Sequence, residues 1–255
     1  MSRGSFNRPE VAAEYARTGL FATGDDLAWL TEAAALTGRE RVLDLGTAAG
    51  HTALALAPKS ALTVGLDPAP AMLRQARRLA RERKIDNLEL VASFADPVPF
   101  PDEVFDLVTC RLAAHHFPDL PGALYEVKRL LRPGGRLIVI DVIAPEDDAL
   151  DEWINEIERV HDPSHAHDYR LSEWADALRR FGMGYELLKQ WDLPLDFASW
   201  VARVGTPPTA IARLENLFDN ATPAAIAAFR IAPPPAPRAF CLHVALFVGT
   251  KKASA

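Results

Sequence analysis

Hydrophobic residues form short continuous runs that alternate with stretches of helical periodicity through the first 140 residues. The runs are rich in Val, Leu and Ile, as is typical of strands covered on both faces of a sheet. Between them, residues 69–84 place apolar side chains such as Met72 and Leu79 on one helical face and arginines on the other. This alternation of strands and helices predicts a parallel, doubly wound α/β sheet. The predicted strands span residues 41–45, 62–67, 88–92, 105–110 and 136–141.

The later part of the chain has longer amphipathic stretches and fewer strands. Residues 147–161 and 171–181 each carry an apolar face at helical spacing, and the polar segment 162–170 between them is expected to be a mobile loop. Prolines mark the connections between the last elements. We predict strands at 185–193 and 240–249, with short helices between them at 197–204, 209–219 and 223–230.

The composition is that of an ordinary globular chain. Of its 255 residues, 49% are hydrophobic and 24% are charged, which excludes a disordered or coiled-coil protein. A net charge of −6 argues against binding to a nucleic-acid backbone. The chain starts without the apolar core of a signal peptide, and no apolar run could span a bilayer, so we expect a cytoplasmic protein. Cys110 and Cys241 lie in apolar runs and are expected to be buried, reduced thiols.

A loop of small residues follows the first predicted strand, in the segment 44–50 (DLGTAAG). Small residues let the backbone approach a ligand closely, and the helix predicted at 52–57 offers its first N–H groups. Glycines stand only at positions 46 and 50, so the spacing differs from the G-x-G-x-x-G of dinucleotide-binding enzymes. The carboxylate of Asp44 would repel a pyrophosphate and suits a cationic group, such as the ammonium of an amino acid.

Asp67 ends the second predicted strand. An acidic side chain at this place can accept hydrogen bonds from both hydroxyls of a ribose, as it does in nicotinamide-dependent enzymes. The alternative is that Asp67 only caps the helix predicted at 69–84. The loop of small residues at the neighbouring strand end favours ribose binding.

Several segments together resemble the class I S-adenosylmethionine-dependent methyltransferases, and among them the UbiE-like group, which is named for ubiquinone and menaquinone biosynthesis enzymes. The segment 98–108 (VPFPDEVFDLV) is similar to that group's LPFPDxSFDxV signature. The resemblance covers residues 38–142. The other segments that carry it are the loop 44–50, Asp67, the segment 115–117 (HHF) and the segment 131–135 (LRPGG).

The resemblance implies a Rossmann-like, doubly wound sheet of seven strands in the order 3-2-1-4-5-7-6, with only the last strand antiparallel. It also implies a single domain with helical cap insertions and an N-terminal helix over the cofactor. Tyr15 is the candidate cofactor contact on that helix, and its alternative is a half-buried packing role. Within residues 1–255 we expect a cover at 1–37, a cofactor-binding core at 38–142, caps at 143–170 and 195–237, and the last strand at 240–249.

At the methionine end of S-adenosylmethionine, and of its product S-adenosylhomocysteine, the resemblance implies contacts from the first loop. Gly46 and Gly50 would bracket the methionine portion, and Asp44 would orient the loop or reach the ammonium through water. Ala48 replaces the middle glycine of the family, which adds a methyl group where the backbone meets the ligand. Arg111 would face the methionine end through its backbone.

At the adenosine end, the resemblance implies that Asp67 takes the ribose hydroxyls. Phe94 stands where the family has an acidic residue for the adenine amino group, so it would stack on the ring instead. Ala95 would offer its backbone N–H to the adenine, and Asp96 could replace the missing acid. Met72 would flank the adenine or pack in the core.

Histidines supply the candidate catalytic groups. His115 and His116 follow the fourth strand at the carboxyl edge of the sheet, where ligands bind, and His116 is slightly favoured as the one that faces the substrate. The alternative is a hydrogen bond within the loop. His161, His165 and His167 lack a Cys or Glu partner in a known ligand pattern, so no metal is expected.

The leading function is therefore methyl transfer from S-adenosylmethionine to a small molecule, which requires alignment of the reactants and exclusion of water. An acceptor that is apolar or aromatic is suggested by tryptophans in the second half of the chain, although each could also be a core residue. The alternatives are a non-catalytic cofactor-binding protein and a nicotinamide-dependent oxidoreductase. These tryptophans are Trp153, Trp174, Trp191 and Trp200.

Overall fold

Seven strands form one sheet in the order β3-β2-β1-β4-β5-β7-β6 in the computed structural model, which describes residues 5–17 and 22–253. The first five strands are parallel to their neighbours, and β7 runs antiparallel between β5 and β6. The expected strand order, with the last strand alone antiparallel, is confirmed. The strands are β1 Arg41–Leu45, β2 Leu62–Leu66, β3 Leu88–Val91, β4 Phe105–Arg111, β5 Leu131–Val142, β6 Met183–Asp196 and β7 Ala239–Lys251.

Helices flank both faces of the sheet, and four of them begin at a side chain that accepts a capping hydrogen bond. The side chain of Asp119 accepts from the Gly122 N–H at the start of α5, and Asp147 accepts from two N–H groups at the start of α6. Within the described residues, no helix is both long and apolar enough to cross a bilayer. The helices are α1 Pro9–Arg17, α2 Asp25–Ala34, α3 His51–Leu56, α4 Pro70–Glu82, α5 Leu120–Leu130, α6 Asp148–His161, α7 Leu171–Arg180, α8 Phe197–Val204, α9 Pro208–Asp219 and α10 Pro223–Ala228.

The last three strands are longer than their apolar runs predicted. The ladder between β6 and β7 runs from the pair Met183–Lys251 to the pair Asp196–Ala239 and carries both strands past their apolar centres. Because β6 lies at the edge of the sheet, Pro194 costs it no hydrogen bond to a further strand. In β5, regular pairing with β4 resumes only at Arg136, after the Pro-Gly-Gly segment.

Two apolar clusters fill the two faces of the sheet. Successive residues of β5 alternate between them: Ile138 and Ile140 belong to one cluster, and Leu137 and Val139 belong to the other. The first cluster also contains side chains of the cap helices α8, α9 and α10. The caps and the sheet therefore share one hydrophobic core. Cys110 and Cys241 are buried free thiols in β4 and β7.

The segment between α6 and α7 differs from the mobile loop that its polar sequence predicted. Asp162, His165 and Asp168 are buried. The N–H groups of Ala166 and His167 both donate to the His115 carbonyl, at 2.7 and 3.1 Å. Polar residues of this segment are buried because groups of other elements form hydrogen bonds with the segment. The pattern of polar positions in the sequence does not reveal these partners. The segment covers the carboxyl edge of the sheet after β4.

Candidate active site

Asp44 organises the loop that follows β1. It is 1% exposed, and its carboxylate oxygens accept from the Thr47 and Thr109 hydroxyls, both at 2.7 Å. Burial raises the pKa of Asp44 to about 6, although the two hydroxyl donors act in the opposite direction. Both oxygens of Asp44 accept from threonines, one in the loop and one in β4. Of the two roles predicted for Asp44, this arrangement fits the orientation of the loop.

The two glycines of this loop are required by packing as well as by any ligand. Gly46 has φ +66°, and a Cβ on it would lie 2.5 Å from the Cβ of Ala113. Gly50 has φ +86°, and a Cβ there would lie 2.8 Å from the Cβ of Ala76. Ala48 also adopts a left-handed conformation, at φ +46°. The backbone of this tight loop therefore packs closely against Ala113, which follows β4, and against Ala76 of α4.

Asp67 lies at the end of β2 and is 7% exposed. Its Oδ2 accepts from the Ala48 N–H at 2.9 Å, and its Oδ1 accepts from the Ala69 N–H at 2.8 Å. Burial raises its pKa to about 6 against the opposing effect of these two donors. A carboxylate has about four acceptor positions, so each oxygen keeps one lone pair. This geometry fits the two hydroxyls of a ribose, and the bond to Ala69 also holds the turn that precedes α4.

The residues expected at the adenine have different environments. Met72 is 1% exposed and packs with Val11 and Ala12 of α1, as a core residue does. Phe94 lies beyond the end of β3 and is 54% exposed, so its ring is open to a ligand. Ala95 next to it is half-buried, and Asp96 is exposed.

Helix α1 lies over the loop after β1. The Nε2–H of His51 donates to the Tyr15 carbonyl at 3.0 Å, which ties α1 to the first turn of α3. The guanidinium of Arg8 donates to the Val204 carbonyl and ties α1 to α8. Burial raises the pKa of the Tyr15 phenol, Arg203 acts in the opposite direction, and the carboxyls of Asp162 and Glu158 raise it further. Tyr15 therefore adjoins the cap as well as the loop.

Arg111 connects the end of β4 to α2. Its Nε donates to the Asp26 carboxylate at 2.6 Å, and both side chains are largely buried. The sequence suggested a role for the backbone of Arg111 but no role for Asp26, because α2 carries no motif. Their ion pair fixes the strand end that precedes the two histidines.

A histidine–carboxylate pair lies at the carboxyl edge of the sheet. The Nδ1 of His115 donates to Asp141 Oδ1 at 2.5 Å, and its backbone N–H donates to Asp141 Oδ2 at 3.1 Å. Burial disfavours the charged imidazole, but the Asp141 charge and hydrogen bond, together with Asp168 and Glu158, raise the His115 pKa to about 9. Sequence reasoning missed Asp141, although an acidic residue at the end of β5 was a signal of the same kind as Asp67.

Among the described residues, no carboxylate forms a hydrogen bond or ion pair with His116. Its Nδ1 lies 3.3 Å from the carbonyl and from the hydroxyl of Ser164, and its ring centre lies 4.2 Å from that of His115. Burial and the charge of His115 lower its pKa, so the His116 imidazole is neutral. The two histidines that the sequence paired thus differ in charge, and His115 is the one oriented by an acid.

The remaining cap histidines have separate partners. His161 Nδ1 lies 3.0 Å from the Thr206 hydroxyl, and His165 Nε2 lies 3.2 Å from Asn155 Oδ1. His167 packs against the ring of Tyr169. In the part of the chain that the structure describes, no group of three His, Cys, Asp or Glu side chains is arranged to hold a metal ion.

The tryptophans of the second half pack mainly within the protein. Trp174 and Trp200 are each 2% exposed and belong to the two core clusters. Trp153 stacks on Phe229, with ring centres 5.0 Å apart. These tryptophans therefore contribute to the hydrophobic core and do not indicate the chemical character of the methyl acceptor. The ring of Phe6 instead packs edge-on against that of His116, with ring centres 5.2 Å apart.

Several known proteins are similar to this chain in sequence and in fold. A sequence profile described as "Methyltransferase domain" matches residues 43–139. The chain is 37% identical over 243 residues to the "Uncharacterized methyltransferase YcgJ" of Bacillus subtilis, which covers 94% of this chain and 96% of YcgJ. The crystal structure of YcgJ has a TM-score of 0.88 at 36% identity and covers 90% of this chain and 99% of that chain. A demethylmenaquinone methyltransferase of Thermus thermophilus is 39% identical over 142 residues, which are 53% of this chain and 64% of that protein.

The sheet order, the loop after β1 and the acidic strand ends define a Rossmann-like methyltransferase. The similarity to YcgJ extends over nearly the whole of both chains. The chain belongs to the class I S-adenosylmethionine-dependent methyltransferases, within the UbiE-like group. It is therefore an enzyme, and S-adenosylmethionine is the methyl donor that this membership implies.

Proposed function

We propose that the protein transfers a methyl group from S-adenosylmethionine to a small molecule that is held beside His115. The donor supplies a methyl group on a positively charged sulfonium, which is already activated. The chain therefore has to align the acceptor with the donor and exclude water. The packed segment 162–170 and helix α1 both cover this edge of the sheet and support such a closed site.

The residues at the strand ends suit the donor. Asp67 would bind the ribose hydroxyls with its two remaining lone pairs, and the exposed ring of Phe94 would stack on adenine. The backbone of Gly46, Ala48 and Gly50 would face the methionine portion. The other residues proposed for the donor site are Tyr15, Asp44, Met72, Ala95 and Arg111.

The observation that carries the proposal is the pair of His115 and Asp141 at the carboxyl edge. A His115 pKa of about 9 means that the imidazole is charged at neutral pH and cannot accept a proton. It would instead donate a hydrogen bond and stabilise negative charge that develops on the acceptor. His116, which is neutral, would shape the acceptor site beside it.

An apolar or aromatic body of the acceptor is supported by the rings next to these histidines. Phe6 packs edge-on against Tyr15 at 5.5 Å and against His116 at 5.2 Å between ring centres. Aromatic side chains offer large apolar faces and favour ring-shaped ligands in edge-on or offset contact. A small molecule with an aromatic ring fits this wall.

Calorimetric titration with S-adenosylmethionine, S-adenosylhomocysteine and NAD tests the donor site. The two adenosyl compounds should bind and NAD should not. A protein that binds NAD and neither adenosyl compound would contradict the proposal.

The acceptor can be sought with S-adenosylmethionine that carries a trideuterated methyl group. After incubation with a small-molecule cell extract, a methylated product should gain the labelled methyl group in the mass spectrum. The Asp67→Ala variant serves as the negative control. Label that appears only on protein or nucleic acid would contradict a small-molecule acceptor.

A further inference from the structure

Three buried hydrogen-bond acceptors near His115 receive no hydrogen bond from the described residues. They are Glu158 Oε1, Asp168 Oδ2 and His165 Nδ1. Asp168 is 1% exposed and His165 is 7% exposed. A buried polar atom without a partner is unfavourable by a few kcal/mol, roughly 1–3. Such atoms are rare in native proteins and call for a physical explanation.

One buried amide holds two of these side chains in place. Asn155 Oδ1 accepts from the Asp168 N–H at 2.7 Å and from His165 Nε2 at 3.2 Å, and Asn155 Nδ2 donates to the Asp168 carbonyl at 3.2 Å. Because the proton of His165 is on Nε2, its Nδ1 is an acceptor. The His165 ring stacks on that of His115, with centres 5.7 Å apart. The acceptors thus adjoin the histidine–carboxylate pair on a rigid support.

The charges of several neighbouring groups shift the pKa values of Glu158 and Asp168. Burial raises the pKa of Glu158, and the charge of His115 opposes that rise. Burial raises the pKa of Asp168 well above its usual value, and the charge of Glu158 raises it further. Burial and the charge of Glu158 thus favour the neutral form of Asp168, whereas the charge of His115 favours the ionised form of Glu158. The other charged groups that act on one or both are Asp141, Asp151, Asp162 and Arg203.

We propose that Glu158, Asp168 and His165 bind an N–H or O–H group of the methyl acceptor and that Glu158 takes its proton. The inference rests on the proposed methyl transfer and names its acceptor class, which is a primary or secondary amine, a phenol or a related hydroxyl compound. Three acceptors without donors select a ligand that donates. The reacting nitrogen or oxygen loses one proton to the Glu158 carboxylate and gains one methyl group, whose former bonding electron pair stays on the donor sulfur.

Glu158 is the proton acceptor because it lies toward the donor side. Its charge acts on the Tyr15 phenol, and the Tyr15 carbonyl is bound to His51 at the loop after β1. His115, charged and fixed by Asp141, would stabilise the carboxylate before the proton moves. A carboxyl whose pKa is raised toward neutrality is an effective general base.

The test uses pairs of probes that differ in the protic group. Phenol with anisole and benzylamine with toluene are titrated into the full chain saturated with S-adenosylhomocysteine, with binding followed by saturation-transfer NMR. We expect phenol and benzylamine to bind at least tenfold more tightly than their partners, as hydrogen bonds to charged groups imply. Equal affinity within both pairs would mean that ordered water alone satisfies these atoms, and would overturn the inference.

Isosteric variants assign the preference to the carboxyls. Glu158→Gln and Asp168→Asn keep the shape, and we expect each to reduce the preference for the protic probe at least fivefold, roughly half of the hydrogen-bond energy. Glu152→Gln makes the same change at an exposed position of α6 and should leave the preference unchanged. A preference that survives in both buried variants would contradict the assignment.

The same samples separate this inference from the proposed function. The affinity for S-adenosylhomocysteine is measured by calorimetry in each variant. If the wild-type chain does not bind S-adenosylhomocysteine, the proposed methyl transfer is contradicted. Normal affinity for S-adenosylhomocysteine without discrimination between the probes would remove only the acceptor class.

Discussion

Three aspartates near the carboxyl ends of β1, β2 and β5 have different partners and therefore different roles. Asp44 accepts from two threonine hydroxyls, Asp67 accepts from two backbone N–H groups, and Asp141 is paired with His115. Of the three, Asp67 is the most exposed, at 7% against 1% for the other two, and each of its oxygens keeps a lone pair for a ligand. The same residue type at the same edge thus orients a loop, is proposed to bind a ribose and charges an imidazole.

Replacement of Asp67 should weaken binding of the donor. In Asp67→Asn one ribose hydroxyl loses a charged acceptor, and such a hydrogen bond contributes about 1.5–3 kcal/mol. We expect the affinity for S-adenosylhomocysteine to fall roughly 10- to 150-fold in calorimetry. Asp86→Asn, at an exposed position before β3, is the matched control and should bind normally. An unchanged affinity in folded Asp67→Asn protein would exclude the ribose contact.

The pair of His115 and Asp141 should make stability depend on pH. The folded pKa of His115, about 9, lies above the usual value of 6.5. Its stabilising effect is therefore complete below pH 6.5 and is lost as the pH rises through about 9. At about 1.4 kcal/mol per pKa unit, this loss is about 3 kcal/mol in the free energy of unfolding. Urea unfolding between pH 6 and 9.5 measures it.

Asp141→Asn should remove this pH dependence and lower the pKa of His115 as followed by NMR. Asp192→Asn is the control, because Asp192 pairs with His243 at 2.9 Å on another part of the sheet. A His115 titration that is unchanged in Asp141→Asn would show that the carboxylate does not hold the imidazole in its charged form.

At the scale of elements, the loop after β1 is shaped by contact with β4 as much as by its own sequence. A Cβ at Gly46 would meet Ala113 at 2.5 Å, whereas Gly134, at φ +80°, has nothing within 4 Å of its Cβ position. Gly46→Ala should therefore combine left-handed strain with overpacking and destabilise the protein by about 2–5 kcal/mol. Gly134→Ala should show only the strain, about 1–2 kcal/mol.

Thermal unfolding of the two glycine variants measures this difference. Ala113→Gly in the Gly46→Ala background should restore part of the lost stability, because it removes the facing methyl group. Equal destabilisation by the two single substitutions would mean that the close approach of the loop to β4 is not a constraint.

The segment between α6 and α7 should be protected from solvent by Asn155. In Asn155→Ala the buried N–H of Asp168 loses its partner, and we expect a loss of about 1–3 kcal/mol in local stability. Hydrogen exchange of residues 162–170 should become faster. Asn220→Ala, which removes one exposed hydrogen bond in α9, is the control. Fast exchange already in the wild-type chain would support the mobile loop that the sequence predicted.

The whole molecule has a core that the sheet and the caps build together. Phe218 of α9 is 3% exposed, and its ring centre lies 5.0 Å from that of Phe240 in β7. Such a contact couples the stability of the cap to that of the sheet. The division of the chain into cover, core and caps stays a prediction about function, but the apolar cluster joins these parts physically.

Phe218→Ala should accordingly destabilise the whole protein by about 3–5 kcal/mol. Far-UV circular dichroism and tryptophan fluorescence should still report one coincident unfolding transition. Ile226→Ala, at a 43% exposed apolar position of α10, should change the stability much less. A separate early transition in Phe218→Ala would mean that the cap unfolds independently of the sheet.

Much of the sheet was predictable because β1 to β4 are short and bounded by turn residues, and β1, β2 and β4 are largely buried. Their bounds differ from the predicted ones by at most one residue at either end. The bounds of β5, β6 and β7 were less predictable, since cross-strand pairing extended them beyond their apolar runs. Asp67 could be proposed from the sequence because its place at a strand end is a local signal, whereas Asp26, Glu158 and Asp168 lie in helices or loops without such a signal.

Apolar periodicity and small-residue motifs indicated most of the strands and the edge where the site lies, since these depend on which residues face inward. The order of the strands and the class of enzyme came from the resemblance to the methyltransferases. The partners of the polar groups depended on packing. Arg111 meets Asp26 across 85 residues, His51 meets Tyr15 across 36, and His115 meets Asp141 across 26. Such contacts form only when separate elements are brought together, because a carboxylate or imidazole takes its charge and role from the neighbours that exclude water around it.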